Sequence, residues 1–395
     1  MIKSINRCTY YTSPHGGRKD KNKIVLVTSV KTRYYLHKLI VMRRYKYVPG
    51  RPGVTLFDAV CEIDNLRLAH ENASRGKKWY PEVKMVNKNP DMFLYAIQEM
   101  LLSGEYVNSE YNIFDRRENE KIRKIYKLPY YPDRIIQWAL LQIIAPILEK
   151  TFTKDTYSSI PGRGPLNCMM NVSNALYKDP EGVWYCLKID IHHFYQSINH
   201  DILKRKYLDI FKDDKLMWLI CVIIDSVSEN EGVPIGNYTS QYSGNLYLSE
   251  FDHWIKEDIG VKYYFRYMDD MVFLSGSKEF LHDLLYKIIE RLDVKEKLEL
   301  KSNYQIFPSK IRGIDYVGYR MFGGYALIRN RIHDRFVRLC KSLMSKDTLS
   351  EHDRSSLFSY VGFLQHANTY NLQEKYYIPI KMKFGLCNEI KTLSK

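Results

Sequence analysis

The chain has 395 residues, 45% of them hydrophobic and 27% charged, with no low-complexity block. That is enough to bury a full core in two or three subdomains, and it excludes a disordered or collagen-like protein. Sixty Lys and Arg stand against 45 Asp and Glu, a formal +15; such an excess points to a polyanionic partner, nucleic acid being the commonest, although a merely basic surface gives the same count. The seven cysteines are scattered without a Cys-x-x-Cys pair, which argues against a disulfide framework or a structural zinc and for a reducing, cytoplasmic setting.

Residues 1–54 form a basic, Tyr-rich extension with a Ser13-Pro14-His15-Gly16-Gly17 break; a strand over 23–30 and a helix over 31–44 are expected. No signal-peptide pattern follows Met1, and the longest apolar run, 216–224, is too short to span a bilayer. Leu56, Val60, Ile63, Leu66 and Leu68 recur at helical spacing over 55–76, and a second helix is predicted over 89–102. Two strands, over 106–114 and 120–128, flank a charged turn at 115–119. Pro132 and Asp133 suit the first turn of a long amphipathic helix running to Leu148.

Beyond Gly182 the chain alternates. A strand over 183–189 ends in Asp190, helices follow over 200–211 and 215–226, and a turn at 232–236 opens a long helix over 238–258. Next comes Phe265-Arg266-Tyr267-Met268-Asp269-Asp270-Met271-Val272-Phe273-Leu274, which reads as strand, tight turn, strand with the acidic pair at the tip. A helix over 279–292 follows. A hairpin of 314–320 with 325–328 turns at Gly323-Gly324, and basic helices fill 331–395.

Two adjacent carboxylates at a hairpin tip repel each other and serve folding less well than Asn-Gly. They make sense beside a multivalent cation. Asp190 ends a strand that an antiparallel sheet can bring next to that hairpin, giving an oxygen-ligand site suited to Mg²⁺; taken alone, it equally suits a strand end or an N-cap. Two such ions about 3.5–4 Å apart can activate a 3′-hydroxyl and stabilise a pyrophosphate leaving group. Gly232-Val233-Pro234-Ile235-Gly236-Asn237-Tyr238-Thr239-Ser240-Gln241 is a Gly/Pro turn opening a helix, with Asn237, Ser240 and Gln241 near its N-terminus. Close backbone approach and a helix N-terminus suit a nucleotide or template strand, although taken alone such a segment is more often an ordinary turn capped by Asn or Thr.

In combination, the strand-end Asp190 with Phe194 and Tyr195, then the Gly-x-Pro-x-Gly-Asn-x-x-Ser-Gln segment, then Tyr-Met-Asp-Asp, resemble the A, B and C motifs of a reverse transcriptase palm. Leu128-Pro129-Tyr130-Tyr131-Pro132-Asp133-Arg134 resembles a bacterial fingers segment of that family, and Ser158–Gly164 its Gly/Arg loop. Leu298–Lys301 and Gly313–Tyr319 resemble motif D and the primer grip, and Gly362–His366 part of the thumb. About 55–380 is covered.

The resemblance implies an α+β right-hand polymerase. Fingers would occupy 55–182, a palm with an antiparallel sheet 183–312, a primer-grip hairpin 313–330 and a helical thumb 331–395. It implies catalytic and metal-binding roles for Asp190, Asp269 and Asp270, with the Ile191 carbonyl as a further ligand to two Mg²⁺ ions, Mn²⁺ being the alternative. It also makes Tyr195 a steric gate against ribose, puts Arg163, Arg134, Gly236, Gln241 and Lys301 near the nucleotide, and puts Asn237, Ser240, Tyr267 and Gly318 near template or primer. His192 and His193 read as structural. The implied activity copies RNA into DNA from dNTPs on a noncoding RNA template, with an accessory protein or a second copy as a further partner.

Ile235 and Gln241 stand where many family members have Gln and Pro. That pattern resembles bacterial diversity-generating, defence-associated and unclassified groups, and it implies relaxed base selection. Pro161-Gly162-Arg163-Gly164-Pro165 does not match the Lys/Gly-rich loop of the diversity-generating enzymes, which favours a defence-associated or unclassified lineage. No nuclease or integrase segment is expected in the remainder. Synthesis without an external template, primed by the protein, is the main alternative; a polymerase fold without activity and a structural Ca²⁺ protein are the others.

Overall fold

The computed structural model describes residues 54–118, 121–227 and 230–386. The predicted strand over 23–30 and helix over 31–44 lie outside these. The first helical layer comprises α1 (Leu56–Cys61), α2 (Ile63–Ser74), α3 (Pro81–Lys88) and α4 (Pro90–Leu102). Thr55 and Asp58 close a capping box on α1, and Pro81 and Pro90 sit in the first turns of α3 and α4, where a missing N–H costs nothing. Of these, α1 and α2 pack directly on α5 (Ile135–Leu148), and α4 packs on α1 and α2. The expected amphipathic stripe is absent from α5: every residue but Pro146 and Ile147 is buried, because helices pack around it on all sides.

A two-stranded ribbon, β1 (Asn112–Glu118) and β2 (Lys121–Lys127), precedes α5. Its first strand lies further along the chain than expected and takes in residues read as turn. Both faces of β1 meet solvent over 112–117, so charge there costs little and hydrophobic alternation gives no register.

The centre of the protein is a four-stranded antiparallel sheet ordered β4-β5-β3-β6, from β3 (Tyr185–Asp190), β4 (Tyr263–Tyr267), β5 (Asp270–Ser275) and β6 (Gln305–Pro308). Side chains two apart share a face. Register therefore puts Cys186, Lys188 and Asp190 on one face with Leu274, Val272 and Asp270, and with Phe265 and Phe307. The apolar part of this face joins a single core with α6 (Pro165–Lys178) and the helices past 330. The acidic end of the face stays open. The other face carries Leu187, Ile189, Met271 and Phe273 and is covered by α11 (Lys278–Arg291).

Between β3 and β4 run α7 (His200–Ile210), α8 (Asp214–Ile224), α9 (Tyr238–Tyr247) and α10 (Ser249–His253). The expected single helix over 238–258 is interrupted at Leu248 (φ −94°, ψ 4°) and ends in a wider π turn, Trp254–Asp258. A second sheet, β7 (Ile314–Tyr316), β8 (Tyr319–Met321) and β9 (Ala326–Ile328), replaces the expected two-stranded hairpin. The extra turn is Val317-Gly318, both at positive φ, the geometry that matches strand twist in a two-residue hairpin. Two longer helices follow, α12 (Asn330–Met344) and α13 (Glu351–Leu364). The fold is thus the α+β right-hand polymerase type, a central antiparallel sheet flanked by helices. Among the described residues no helix is long and apolar enough to cross a membrane.

Candidate active site

Asp190 is the last residue of β3, and its register partner is Asp270. The predicted acidic tip needs one correction. The two-residue turn between β4 and β5 is Met268-Asp269, since Tyr267 pairs with Asp270, so Asp270 already belongs to β5. Met268 takes the positive φ (58°) that such a turn requires. Asp269 is thereby lifted off the strand and stands beside Asp190, whose negative charge acts on its carboxyl. The Ile191 N–H donates to the Asp269 carbonyl at 3.3 Å. In extended backbone the N–H and C=O of one residue share an edge, so the Ile191 carbonyl faces the same side.

The cluster concentrates negative charge. Burial raises the Asp269 carboxyl above its ordinary range, and the neighbouring Asp190 raises it further. Burial pushes Asp270 up to about 7, with Lys188 opposing and both other carboxylates adding. Two lysines offset part of this. Lys301 Nζ bonds Asp190 Oδ1, its reach fixed by its own N–H on the Asp190 carbonyl at 2.9 Å. Lys188 Nζ lies 3.5 Å from Asp270 Oδ2 and donates to the Asp315 carbonyl at 2.7 Å. Asp270 Oδ1 is buried with no hydrogen-bond partner.

Among the described residues no three His, Cys, Asp or Glu side chains are arranged to hold an ion. The donor chemistry nevertheless fits a hard divalent cation: all oxygen, the neighbouring carboxylates of Asp190 and Asp269, a carbonyl on the same edge and an orphaned carboxylate oxygen on Asp270.

Phe194 is buried against Gly244 of α9, where an added Cβ would sit 3.1 Å from the ring and 3.5 Å from Met268 Sδ. Tyr195, next along, is half-exposed, and its carbonyl accepts from Val233 N–H at 2.8 Å. Gly236 makes its close approach within the chain. At φ 129° an added Cβ would lie 2.6 Å from the Tyr126 carbonyl oxygen of β2, while the Tyr126 N–H donates to the Ile235 carbonyl at 3.1 Å.

Other expected ligand-facing groups are turned inward. Asn237 donates to the Tyr111 hydroxyl at 2.8 Å and Ser240 to the Pro234 carbonyl at 2.8 Å, both buried. Gln241 accepts from Ser159 at 2.9 Å. The Arg163 guanidinium is taken by the carbonyls of Thr153 (2.5 Å) and Thr156 (3.1 Å). Arg134 ends the turn before α5 and lies beside Lys77, whose ammonium burial lowers to about 8, with Arg134 adding to the effect. Tyr267 lies on the acidic face, near Ser158. Gly318 packs where a Cβ would meet Phe363 (3.1 Å) and Ile332 (3.2 Å). Sequence reasoning passed over Lys188, Tyr126 and the buried pair Arg266–Asp252; the signal for Lys188 was its place two residues before Asp190, on the same face.

Residues 115–321 match the sequence profile of the family described as reverse transcriptase (RNA-dependent DNA polymerase). Protein YkfC of Escherichia coli (strain K12) is 25% identical over 193 residues, 45% of this chain and 50% of that protein. Retron Ec73 reverse transcriptase of Escherichia coli is 25% identical over 240 residues, 55% of this chain and 74% of that protein. The chain thus spans about half the length of the first relative and about three quarters of the second. Among solved structures, apo telomerase from Candida Tropicalis aligns over 71% of this chain and 59% of that one, with a TM-score of 0.47 and 13% identity. The matched segment is more than half of the sequence and contains every strand of the central sheet, so the chain belongs to the reverse transcriptase family.

Proposed function

We propose that this chain is an RNA-directed DNA polymerase that extends a DNA 3′ end with dNTPs along an RNA template. The observation that carries the reading is the sheet register that sets Asp190 at the end of β3 opposite Asp270 and beside the turn that holds Asp269, all within the segment that matches the family. In this reading Asp190, Asp269 and the Ile191 carbonyl hold Mg²⁺ (two ions, with Mn²⁺ as the alternative), and Asp270 stands behind them. The cation supplies Lewis-acid stabilisation of the charge that develops on phosphoryl transfer. Tyr195 presents its ring to the sugar of the incoming nucleotide. Lys301, on release from Asp190, gives a proton to the leaving pyrophosphate in this reading.

The finer proposal divides the chain into fingers (55–182), palm (183–312), primer grip (313–330) and thumb (331–395). It assigns the template to an associated noncoding RNA of a bacterial or phage retroelement, the location to the cytoplasm and the role to antiphage defence. Similarity to Retron Ec73 reverse transcriptase supports the retroelement part.

The test is primer extension by the full chain on an RNA template with an annealed DNA primer, dNTPs and Mg²⁺. Extension should vanish with a chelator and in Asp190→Asn and Asp269→Asn at unchanged melting temperature. Variants extending as fast as the wild type would end the assignment. Sequencing the nucleic acid that co-purifies tests the template.

A further inference from the structure

Arg266 stands two residues before the catalytic turn on the face of β4 that looks away from the carboxylates. It is wholly buried, as is its partner Asp252 on α10. A guanidinium has five N–H donors in a fixed plane, and all five find partners here. Nε donates to Asp252 Oδ1 at 2.7 Å and Nη2 to Asp252 Oδ2 at 2.5 Å, a bidentate fork. Nη2 also reaches the Asn245 carbonyl at 3.5 Å. Nη1 donates to Asn245 Oδ1 at 3.3 Å and to the Met268 carbonyl at 3.0 Å. Asp252 accepts in addition from the Tyr264 hydroxyl (2.6 Å) and Thr156 (2.8 Å).

A buried arginine needs a counter-ion for stability, and Asp252 alone satisfies that need. The bond to Met268 does something else. The Met268 carbonyl belongs to the peptide that links Met268 to Asp269, and that unit is planar. Anchoring its oxygen fixes the nitrogen of Asp269 and hence the direction in which the Asp269 side chain leaves the turn. Met268 also holds a positive φ that a residue with a side chain adopts only under constraint. Through Asn245 and Asp252 the same guanidinium ties that turn to α9 and α10, the helices opened by the Gly236 loop.

We propose that Arg266 is a positioning residue for the polymerase reaction, aiming the Asp269 carboxylate through the Met268 carbonyl, with Asp252 holding the guanidinium in plane. The inference rests on the polymerase reading above for its kinetic arm, but not for its binding arm.

The experiment uses the full chain carrying Arg266→Met with Asp252→Leu. Removing both buried charges together in favour of apolar groups of similar size commonly leaves folding intact, so a pair that serves only the core predicts a normal enzyme. Positioning predicts a melting temperature within a few degrees of wild type, a KM for dNTP within about twofold, a kcat at least about thirtyfold lower, and Mn²⁺ affinity by calorimetric titration at least about tenfold weaker. A folded double variant with kcat and Mn²⁺ affinity both within about twofold of wild type overturns the proposal. Should the double variant not fold, Arg266→Lys decides. It keeps a charge opposite Asp252 but cannot reach Asp252 and the Met268 carbonyl together, so the same losses are expected and an unchanged kcat and Mn²⁺ affinity overturn it. A wild type that extends no primer would sink the polymerase reading, whereas the ratio of Mn²⁺ affinities still decides the role of Arg266.

Discussion

Replacing Gly236 by Ala tests how the β1–β2 ribbon is tied to the turn that precedes α9. The residue sits at φ 129°, and the new Cβ would lie 2.6 Å from the Tyr126 carbonyl oxygen, a backbone atom that cannot rotate away. A side chain in that region of backbone space costs roughly 1–3 kcal/mol. Relieving the clash moves Tyr126 and forfeits its N–H bond to the Ile235 carbonyl, about 1 kcal/mol net. The junction therefore loses roughly 2–4 kcal/mol. An isolated two-stranded ribbon is marginal in water, so this loss should free the ribbon and leave the core folded. Hydrogen exchange should show the Tyr126 amide deprotected, and dNTP kcat/KM should fall at least about tenfold, which needs only about 1.4 kcal/mol of the loss to reach the transition state. Gly324→Ala is the control, since nothing lies within 4 Å of the position its new methyl would take and its φ is ordinary. Unchanged Tyr126 protection and unchanged kcat/KM in Gly236→Ala would refute the reasoning.

Three further outcomes are expected. Tyr195→Val removes the half-exposed ring and should lower discrimination against ribonucleotides at least about tenfold, read from dNTP and rNTP kcat/KM ratios; an unchanged ratio removes Tyr195 as the gate. Lys301→Met frees Asp190 of its ammonium partner and should tighten Mn²⁺ binding several-fold by calorimetry, since a competitor is lost; weaker binding contradicts the competition. Asp353, at the third position of α13, is held down to about 2 by Lys346 first and then Ser350. Its folded-state value lies below the unfolded one, so its contribution is present above about pH 4 and is lost as pH falls toward about 2. Asp353→Asn should flatten that stretch of the melting-temperature profile, and a profile that keeps its slope would count against the cap.

What the sequence made legible were residue types that have few other uses. Asp190 and the Asp269-Asp270 pair stood out because adjacent acids at a turn need a reason. What it hid were partners chosen by the fold. Arg266 reads as any charged strand residue until its face is known, and Asp252, fourteen positions earlier, reads as a helix-surface acid. Asn237 and Ser240 looked available because small polar groups at a helix start serve a ligand or an internal bond equally well; only packing shows that Tyr111 and the Pro234 carbonyl take them. The tip of the hairpin was misjudged by one residue because the pattern Tyr-Met-Asp-Asp allows either pair of central residues, and the β4–β5 register alone chooses Met268-Asp269. Helices α3 and α6 were passed over although Pro81 and Pro165 marked their first turns.

The two kinds of cation around the acidic cluster explain how the site keeps its shape and still stays open to exchange. The ammonium groups of Lys301 and Lys188 meet their carboxylates with a quarter or more of each side chain exposed. Pairs of that kind contribute about 1 kcal/mol or less and are screened by salt, so a divalent ion that offers twice the charge to the same oxygens displaces them readily. The Arg266–Asp252 pair has no exposure at all. Breaking it would strand a charge where water cannot follow, so it does not exchange. The sheet separates these roles by its two faces: replaceable charge toward the open end beside Asp190 and Asp270, permanent charge behind the turn. Geometry is thus held from the buried side while charge is adjusted from the open one, which is what the proposed polymerase site requires if its carboxylates are to remain fixed while ions and nucleotides exchange.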